Sequence, residues 1–371
     1  MKFTCAKNEL KDALQVVNRA VAVKPQTPIL AGVYIKAEGS TLEMQANNFS
    51  LGIITKIPVN TEESGEIVVV GKYFQEIVAK LPGETVTISY REDEAIVKIQ
   101  SGASVYELLA MKGGEFPKVK SHEVVTTFKI RSAALKKLIR KTVFACGADD
   151  STRPIFTGCL FEINGNNITV AATNTHRIAI QKDSISDEIE PMSFIVPSVT
   201  LRDLAKMFDS SSDNFVTVDY SGKYVAFTFD NIFMSSRLIE GQFPPYEKVV
   251  PASCDMHVKI KVDEMRSAVD RVALISKETE YNTIRFIFTQ DGLNISSNSN
   301  EVGKAEEHVE ATLEGDDIDI SFNVKYISEV LNVIESETCR IGLNKPLYPI
   351  DIREDDNDNY IYIVTPVRTN N

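Results

Sequence analysis

The sequence repeats itself three times, and the period of the repeat decides what it can fold into. Residues 3–21 (FTCAKNELKDALQVVNRAV), 128–146 (FKIRSAALKKLIRKTVFAC) and 258–276 (VKIKVDEMRSAVDRVALIS) align without gaps. Each opens as a short strand and continues as an amphipathic helix. Leu10, Leu135 and Met265 share one apolar position, and Leu14, Ile139 and Val269 share the next. A second helix recurs at 71–81, 197–207 and 323–333, with alternating strands between the two helices of every copy. A period of about 125–130 residues exceeds the roughly 20–50 of solenoid repeats and matches a whole domain. One fold is expected in triplicate.

Composition narrows the function classes. The chain is 43% hydrophobic, enough for a core in each of three copies. No apolar run approaches the roughly 18 residues that span a bilayer. The opening MKFTCAKNELKDAL carries charges where a signal peptide needs its apolar centre, which predicts a cytoplasmic chain. Cys5, Cys146, Cys159, Cys254 and Cys339 are scattered and none belongs to a C-x-x-C pair, so reduced thiols are expected. His122, His176, His257 and His308 lack metal-ligand spacing, and no metal or other cofactor is expected.

The net charge of −12 argues, taken alone, against binding a polyanion. Its distribution argues otherwise. The helix SAALKKLIRKTVFAC holds Lys136, Lys137, Arg140 and Lys141 and no carboxylate. Overlaying the first helices brings Lys11, Lys136 and Arg266 to one position, and the second helices align Lys80 with Lys206, though the third copy has Asn332. The acidic surplus falls in 183–190, 314–319 and 353–359. A shared basic helical face with a repulsive exterior would hold a polyanion in one place only.

Gly114-Glu115-Phe116-Pro117 and Gly241-Gln242-Phe243-Pro244 repeat a G-x-F-P signature 127 residues apart, each followed by a polar linker-like segment. Domains are therefore expected at about 1–120, 121–252 and 253–371. Segments such as 41–48, 85–90, 215–220, 224–229 and 360–366 alternate at period two, with turn dipeptides at Asn164-Gly165, Ser221-Gly222 and Asp291-Gly292. Strand meanders with two helices per copy predict an α+β class with antiparallel sheets.

Catalytic patterns are missing. There is no phosphate-loop, dinucleotide, nucleophile-elbow or H-E-x-x-H motif. The acidic run from Asp355 lacks the glycine and glutamate of a calcium loop, having Tyr360 and Pro366 at those places. His176, beside Arg177 after a strand, is the one histidine in a site-like context.

Several short motifs together carry a likeness. The opening MKFT, Pro28-Ile29-Leu30, Thr173-x-x-His176-Arg177, Phe243-Pro244-x-Tyr246, Phe322-Asn323-Val324-x-Tyr326 and Pro366-Val367-Arg368 resemble the bacterial sliding clamps, the beta subunits of DNA polymerase III, over the whole chain. The resemblance implies the DNA clamp fold, in which two three-domain chains join head to tail into a ring with helices inside and sheets outside. It implies a non-catalytic processivity factor that encircles double-stranded DNA without reading sequence. Implied partners are the polymerase III catalytic subunit, the clamp loader, other polymerases and repair proteins, with no membrane.

Site residues follow from the same resemblance. The hole would present Lys11, Lys24, Lys136, Lys137, Arg140, Lys141, Arg202, Lys206 and Arg266. A pocket for a short glutamine-containing peptide would use Phe156, Thr173, Thr175, His176, Arg177, Ile178, Pro244, Lys248, Val249, Tyr326, Leu347, Pro349, Ile363, Thr365, Pro366 and Val367. Thr175 stands where the family usually has glycine, Lys248 where it has arginine and Phe156 where it has leucine. The homodimer interface would involve Tyr106, Leu108, Leu274 and Ile275. Two rival readings remain open on sequence: a three-domain scaffold that closes no ring, and a hydrolase centred on His176.

Overall fold

The computed structural model describes residues 1–148, 152–208, 214–276, 282–355 and 357–368. Asp356 of the acidic run and the three residues after Arg368 lie outside them. Helices form where the repeat places them: α1 (Lys7–Val17), α2 (Gly71–Lys80), α3 (Ser132–Thr142), α4 (Ser198–Met207), α5 (Val262–Ser276) and α6 (Val324–Leu331). The helical period is the cause. In α1 the buried positions are Leu10, Ala13, Leu14 and Val17, and those of α5 include Met265, Ala268, Val269 and Val272, the i, i+3, i+4, i+7 stripe of a helix with one covered face. Asn323 caps α6 by accepting from the Lys325 amide at 3.0 Å. Every strand ladder is antiparallel, and Gly222 and Gly292 turn with φ of +78° and +131°, as their dipeptides predict.

Backbone pairing does not stop at the repeat boundaries, and the chain divides into two compact units. One unit comprises Met1–Ser132 and Lys206–Leu238. Its thirteen-stranded sheet runs from Thr126–Arg131 at one end to Asn60–Glu63 at the other. The join within it is the ladder between Ile232–Arg237, from the middle copy, and Leu51–Pro58, from the first. The other unit comprises Ala133–Ala205 and Ile239–Asn371, with a seven-stranded and a four-stranded sheet. Its join is equivalent: Asn357–Val364 of the last copy pairs with Arg177–Pro197 of the middle one. Strand edges that a single copy would leave open are thus used between copies. Among the described residues no helix is long and apolar enough to cross a membrane, and no cluster of His, Cys, Asp or Glu could hold a metal ion.

Candidate functional site

The second unit contains a cleft built around one tight loop. The strand Gly158–Thr173 ends in Asn174-Thr175-His176 before the chain returns as Arg177–Pro197. The Asn174 side chain shapes the turn: its Oδ1 accepts from the His176 and Arg177 amides at 3.1 and 3.2 Å. Thr173 Oγ1 accepts from the Thr175 amide at 3.1 Å and donates to the Arg177 carbonyl at 2.7 Å. Thr175 takes φ of +77°, a region where a β-branched residue is strained. The last strand holds the loop from outside, since both the amide and hydroxyl of Thr365 donate to the His176 carbonyl at 2.9 Å.

Arg177 is the buried post of this construction. Its guanidinium pairs with Glu329, donates to the Phe144 carbonyl and lies 4.4 Å from the centre of the Tyr326 ring. Above it opens a cavity of about 200 Å³ lined by Phe156, Thr175, His176, Pro244, Tyr246 and Ile363, among others. Phe243 and Tyr246 are buried beneath, so the G-x-F-P signature acts as an anchor that turns Pro244 into a wall. The Tyr246 hydroxyl donates to Glu162, and burial together with that hydrogen bond pushes its pKa far up, so it stays a neutral donor. A mostly apolar cleft with a few fixed polar groups suits a short linear segment.

Two further features are open rather than enclosed. In the first unit, residues 104–109 pair on one side with Ile96–Ser101. Only residues 110–112 of that strand pair on the other side, with Gly65–Val70. Among the described residues the outer edge at 104–109 is unpaired, and it exposes Val105, Tyr106 and Leu109, the last at 75%. In the second unit Gly303–Val309 is an edge strand, and Leu274 of α5 is 67% exposed.

Family models for the N-terminal, central and C-terminal domains of the DNA polymerase III beta subunit match residues 1–120, 129–245 and 247–368. The chain belongs to the sliding-clamp family. It is 30% identical to the beta sliding clamp of Bacillus subtilis (strain 168) and 28% identical to that of Vibrio cholerae, covering essentially the whole of each. The solved Bacillus subtilis clamp superposes with a TM-score of 0.93, and the Thermotoga maritima beta subunit with 0.92 at 26% identity, over all of both chains. Family members are non-catalytic processivity factors of DNA replication, which removes the hydrolase reading of His176.

The cleft gathers Phe156, Thr173, Thr175, His176, Arg177, Ile178, Pro244, Val249, Ile363 and Thr365 from the residues that the clamp resemblance names. Tyr326 supports it from the side, its hydroxyl accepting from Asn174 Nδ2 at 3.3 Å. Lys248, Leu347, Pro349, Pro366 and Val367 do not line the cleft. Leu347 is solvent-exposed, and the Val367 amide is tied to the Ser321 carbonyl at 2.7 Å. Pro245 and Tyr246 line it and were missing from the sequence-based set. Their proximity to Pro244 in the repeated signature was the available signal.

The basic residues expected in the clamp's hole differ in availability. Lys24 is exposed with φ of +51°, Lys11 is partly exposed, and Arg202 and Lys206 are exposed on α4. Lys136 and Lys137 are partly exposed on α3, while Arg140 pairs with Glu335. Arg266 spends its guanidinium on the Leu331 carbonyl, at 3.0 and 2.7 Å, and on Asp263. That caps the end of α6. Lys141 corrects the expectation outright. It is fully buried, pairs with Glu354 and lies 5.0 Å from the Tyr360 ring centre. It belongs to the core of the second unit and not to a DNA-facing surface.

Proposed function

We propose that two copies of this chain close head to tail into a ring around duplex DNA and tether the replicative polymerase, loader and repair proteins through the Thr173–Arg177 cleft. The observation that carries this reading is the pair of open sheet edges, one in each unit, on a chain that matches the clamp family from end to end. Exposed apolar side chains on an unpaired edge are a liability in a monomer and sensible where another strand will pair. Tyr106 and Leu108 would sit at that junction, with Leu274 and Ile275 beside it. Domains at about 1–120, 121–252 and 253–371 fit the sequence recurrence and the matched ranges, and a cytoplasmic location fits replication.

Within such a ring, Lys11, Lys24, Lys136, Lys137, Arg202 and Lys206 would meet phosphates without reading bases, as sliding requires. Tethering makes each polymerase rebinding intramolecular. The test is retention on DNA. The purified protein, placed on circular duplex by a loader, should remain through gel filtration and leave once the circle is linearised. Equal retention on circular and linear DNA would refute encirclement and favour the scaffold reading. Deleting residues from Pro366 onward should abolish polymerase binding and keep the dimer, because Thr365 and the strand before it would lose their continuation beside the cleft. Tight polymerase binding by that truncated dimer would move the partner site elsewhere.

A further inference from the structure

The loop that shapes the peptide cleft occurs a second time, in the first unit, with the same hydrogen bonds and different lining. Asn48 Oδ1 accepts from the Ser50 and Leu51 amides at 3.0 and 2.8 Å, as Asn174 does from His176 and Arg177. Asn47 Oδ1 accepts from the Phe49 amide at 2.8 Å, as Thr173 does from Thr175. Phe49 takes φ of +69° where Thr175 takes +77°. The neighbouring strand locks the loop in the same way, with the Arg237 amide donating to the Ser50 carbonyl at 2.8 Å in place of Thr365 to His176. The first G-x-F-P also repeats its role: Phe116 is buried and Pro117 turns toward the loop, held by Asn47 Nδ2 on its carbonyl at 2.9 Å.

This loop faces a cavity of about 340 Å³. By ladder register Gly52 and Ser235 stand where the peptide cleft has Ile178 and Ile363. The place of a side chain at Gly52 is taken by Val119, whose methyl lies 2.8 Å from where a Cβ would sit. The walls are Phe49, Pro117 and Val119, with Tyr224 stacked on His122 at 3.8 Å between ring centres. Phe49 is 63% exposed. The charged groups are two lysines: Lys118 and Lys120 line the cavity beside the neutral Asn47, Ser50 and Ser235, and no carboxylate does. Lys118 is engaged by Glu66 at 3.3 Å, but Lys120 is exposed and makes no ion pair among the described residues.

We propose that this cavity is a second docking pocket, for an acidic linear peptide that carries an aromatic anchor flanked by carboxylates. The inference rests on the reading of the Thr173–Arg177 cleft as a peptide site, because the shared loop is what gives both cavities their shape. The anchor packs on Phe49, Pro117 and Val119, and the flanking carboxylates meet Lys120 and, at the rim, Lys118. On a chain of net charge −12, a carboxylate-free cationic hollow selects an acidic segment that most of the surface repels.

The experiment uses the intact protein and two fluorescein-labelled probes, Asp-Glu-Asp-Leu-Phe-Asp-Glu and Gln-Ala-Leu-Phe, followed by fluorescence anisotropy. Lys120→Glu and Phe49→Ala alter exposed side chains, and circular dichroism checks that both variants are folded. Each should weaken the acidic probe about tenfold or more and leave the glutamine probe unchanged. Equal binding of the acidic probe by wild type and both variants would overturn the proposal, as would its absence from wild type. Displacement of the acidic probe by the unlabelled glutamine peptide would overturn it by placing both in one cleft. Displacement by oligothymidylate at far lower concentration than the unlabelled acidic peptide requires would overturn it by making the cavity a single-strand site. Failure of the glutamine probe alone to bind would sink the first-cleft reading and not this one.

Discussion

Replacing Lys141 by methionine separates a core role from a DNA-binding role in one measurement. The Lys141 side chain is 0% exposed and that of Glu354 is 4%, with the second carboxylate, Glu335, at 3.6 Å. Methionine keeps the apolar stem and removes the charge, leaving Glu354 with two donors, the Glu335 amide at 2.8 Å and Asn357 Nδ2 at 3.0 Å. Breaking a buried pair from one side costs about 3–5 kcal/mol. The two surviving hydrogen bonds put this case near the lower end, at about 3 kcal/mol. For a unit of this size each kcal/mol shifts the melting temperature by about 2–4 °C, so a fall of about 6–12 °C is expected. Adding Glu354→Gln should restore part of it, because the orphaned charge is then gone.

The pH dependence gives a second readout. Burial pushes the Glu354 carboxyl up, but the hydrogen bonds from Lys141 and the Glu335 amide outweigh it and hold the group below its usual range. A depressed folded value means that the stabilisation is present above about pH 4.3, the unfolded value. It is lost as pH falls through the folded value. The gap between wild type and Lys141→Met should therefore narrow in acid. Retention on circular DNA at neutral pH should be unchanged. A variant that melts like wild type and slips from DNA would refute the core assignment and return Lys141 to the DNA-facing set.

Other outcomes follow from the same geometry. Leu274→Ala with Ile275→Ala should leave each chain folded and yield monomers by sedimentation, losing about 1.5–3 kcal/mol of association for each side chain fully buried in the dimer; a wild-type dimer would exclude this edge. Neutralising Lys136 and Lys137 should flatten the salt dependence of DNA retention by about 0.9 in log–log slope for each phosphate no longer neutralised, and an unchanged slope would show that α3 does not meet DNA. Thr175→Gly should raise stability by up to about 1 kcal/mol in urea unfolding, since relief of backbone strain of about 1–3 kcal/mol outweighs the added freedom of glycine in the unfolded chain; clear destabilisation would mean that φ of +77° is not strained there.

Local patterns were legible in the sequence because their causes are local. The helices begin where the ungapped repeat places them, since an apolar stripe every three or four residues acts within its own segment. The cleft was legible through Thr173, His176, Arg177 and Pro244, which belong to short recognisable motifs. Lys141 was not. On α3 it stands beside Lys136, Lys137 and Arg140 as one more cation, and what buries it is Glu354, 213 residues away. The engagement of Arg266 was equally hidden, because its carbonyl acceptor lies 65 residues on, at Leu331. Charge patterns report how many cations a helix carries, and only tertiary partners decide which of them face water. The division into two units was equally hidden, since the two ladders that join the copies leave no mark distinct from ordinary strand alternation.

The twin loops show how one backbone can carry two different linings. Their shape comes from main-chain amides bound to an asparagine and to the side chain before it, together with one amide from the next copy's strand. None of those bonds constrains what the facing side chains are. At the matched register positions one site has Ile178 and Ile363 and the other Gly52 and Ser235, while Thr175 is matched by Phe49. Exchanging pairs such as these changes cavity shape and polarity without touching the hydrogen bonds that hold the loop. A copy can build such a site only by borrowing the last strand of the copy after it, as Ile232–Arg237 serves the first and Asn357–Val364 the second. Among the described residues the last copy borrows no such strand, and its Gly303–Val309 edge stays open. With no following strand to borrow, the third copy lacks the join that shapes the other two loops, and the same want leaves its edge strand unpaired among the described residues.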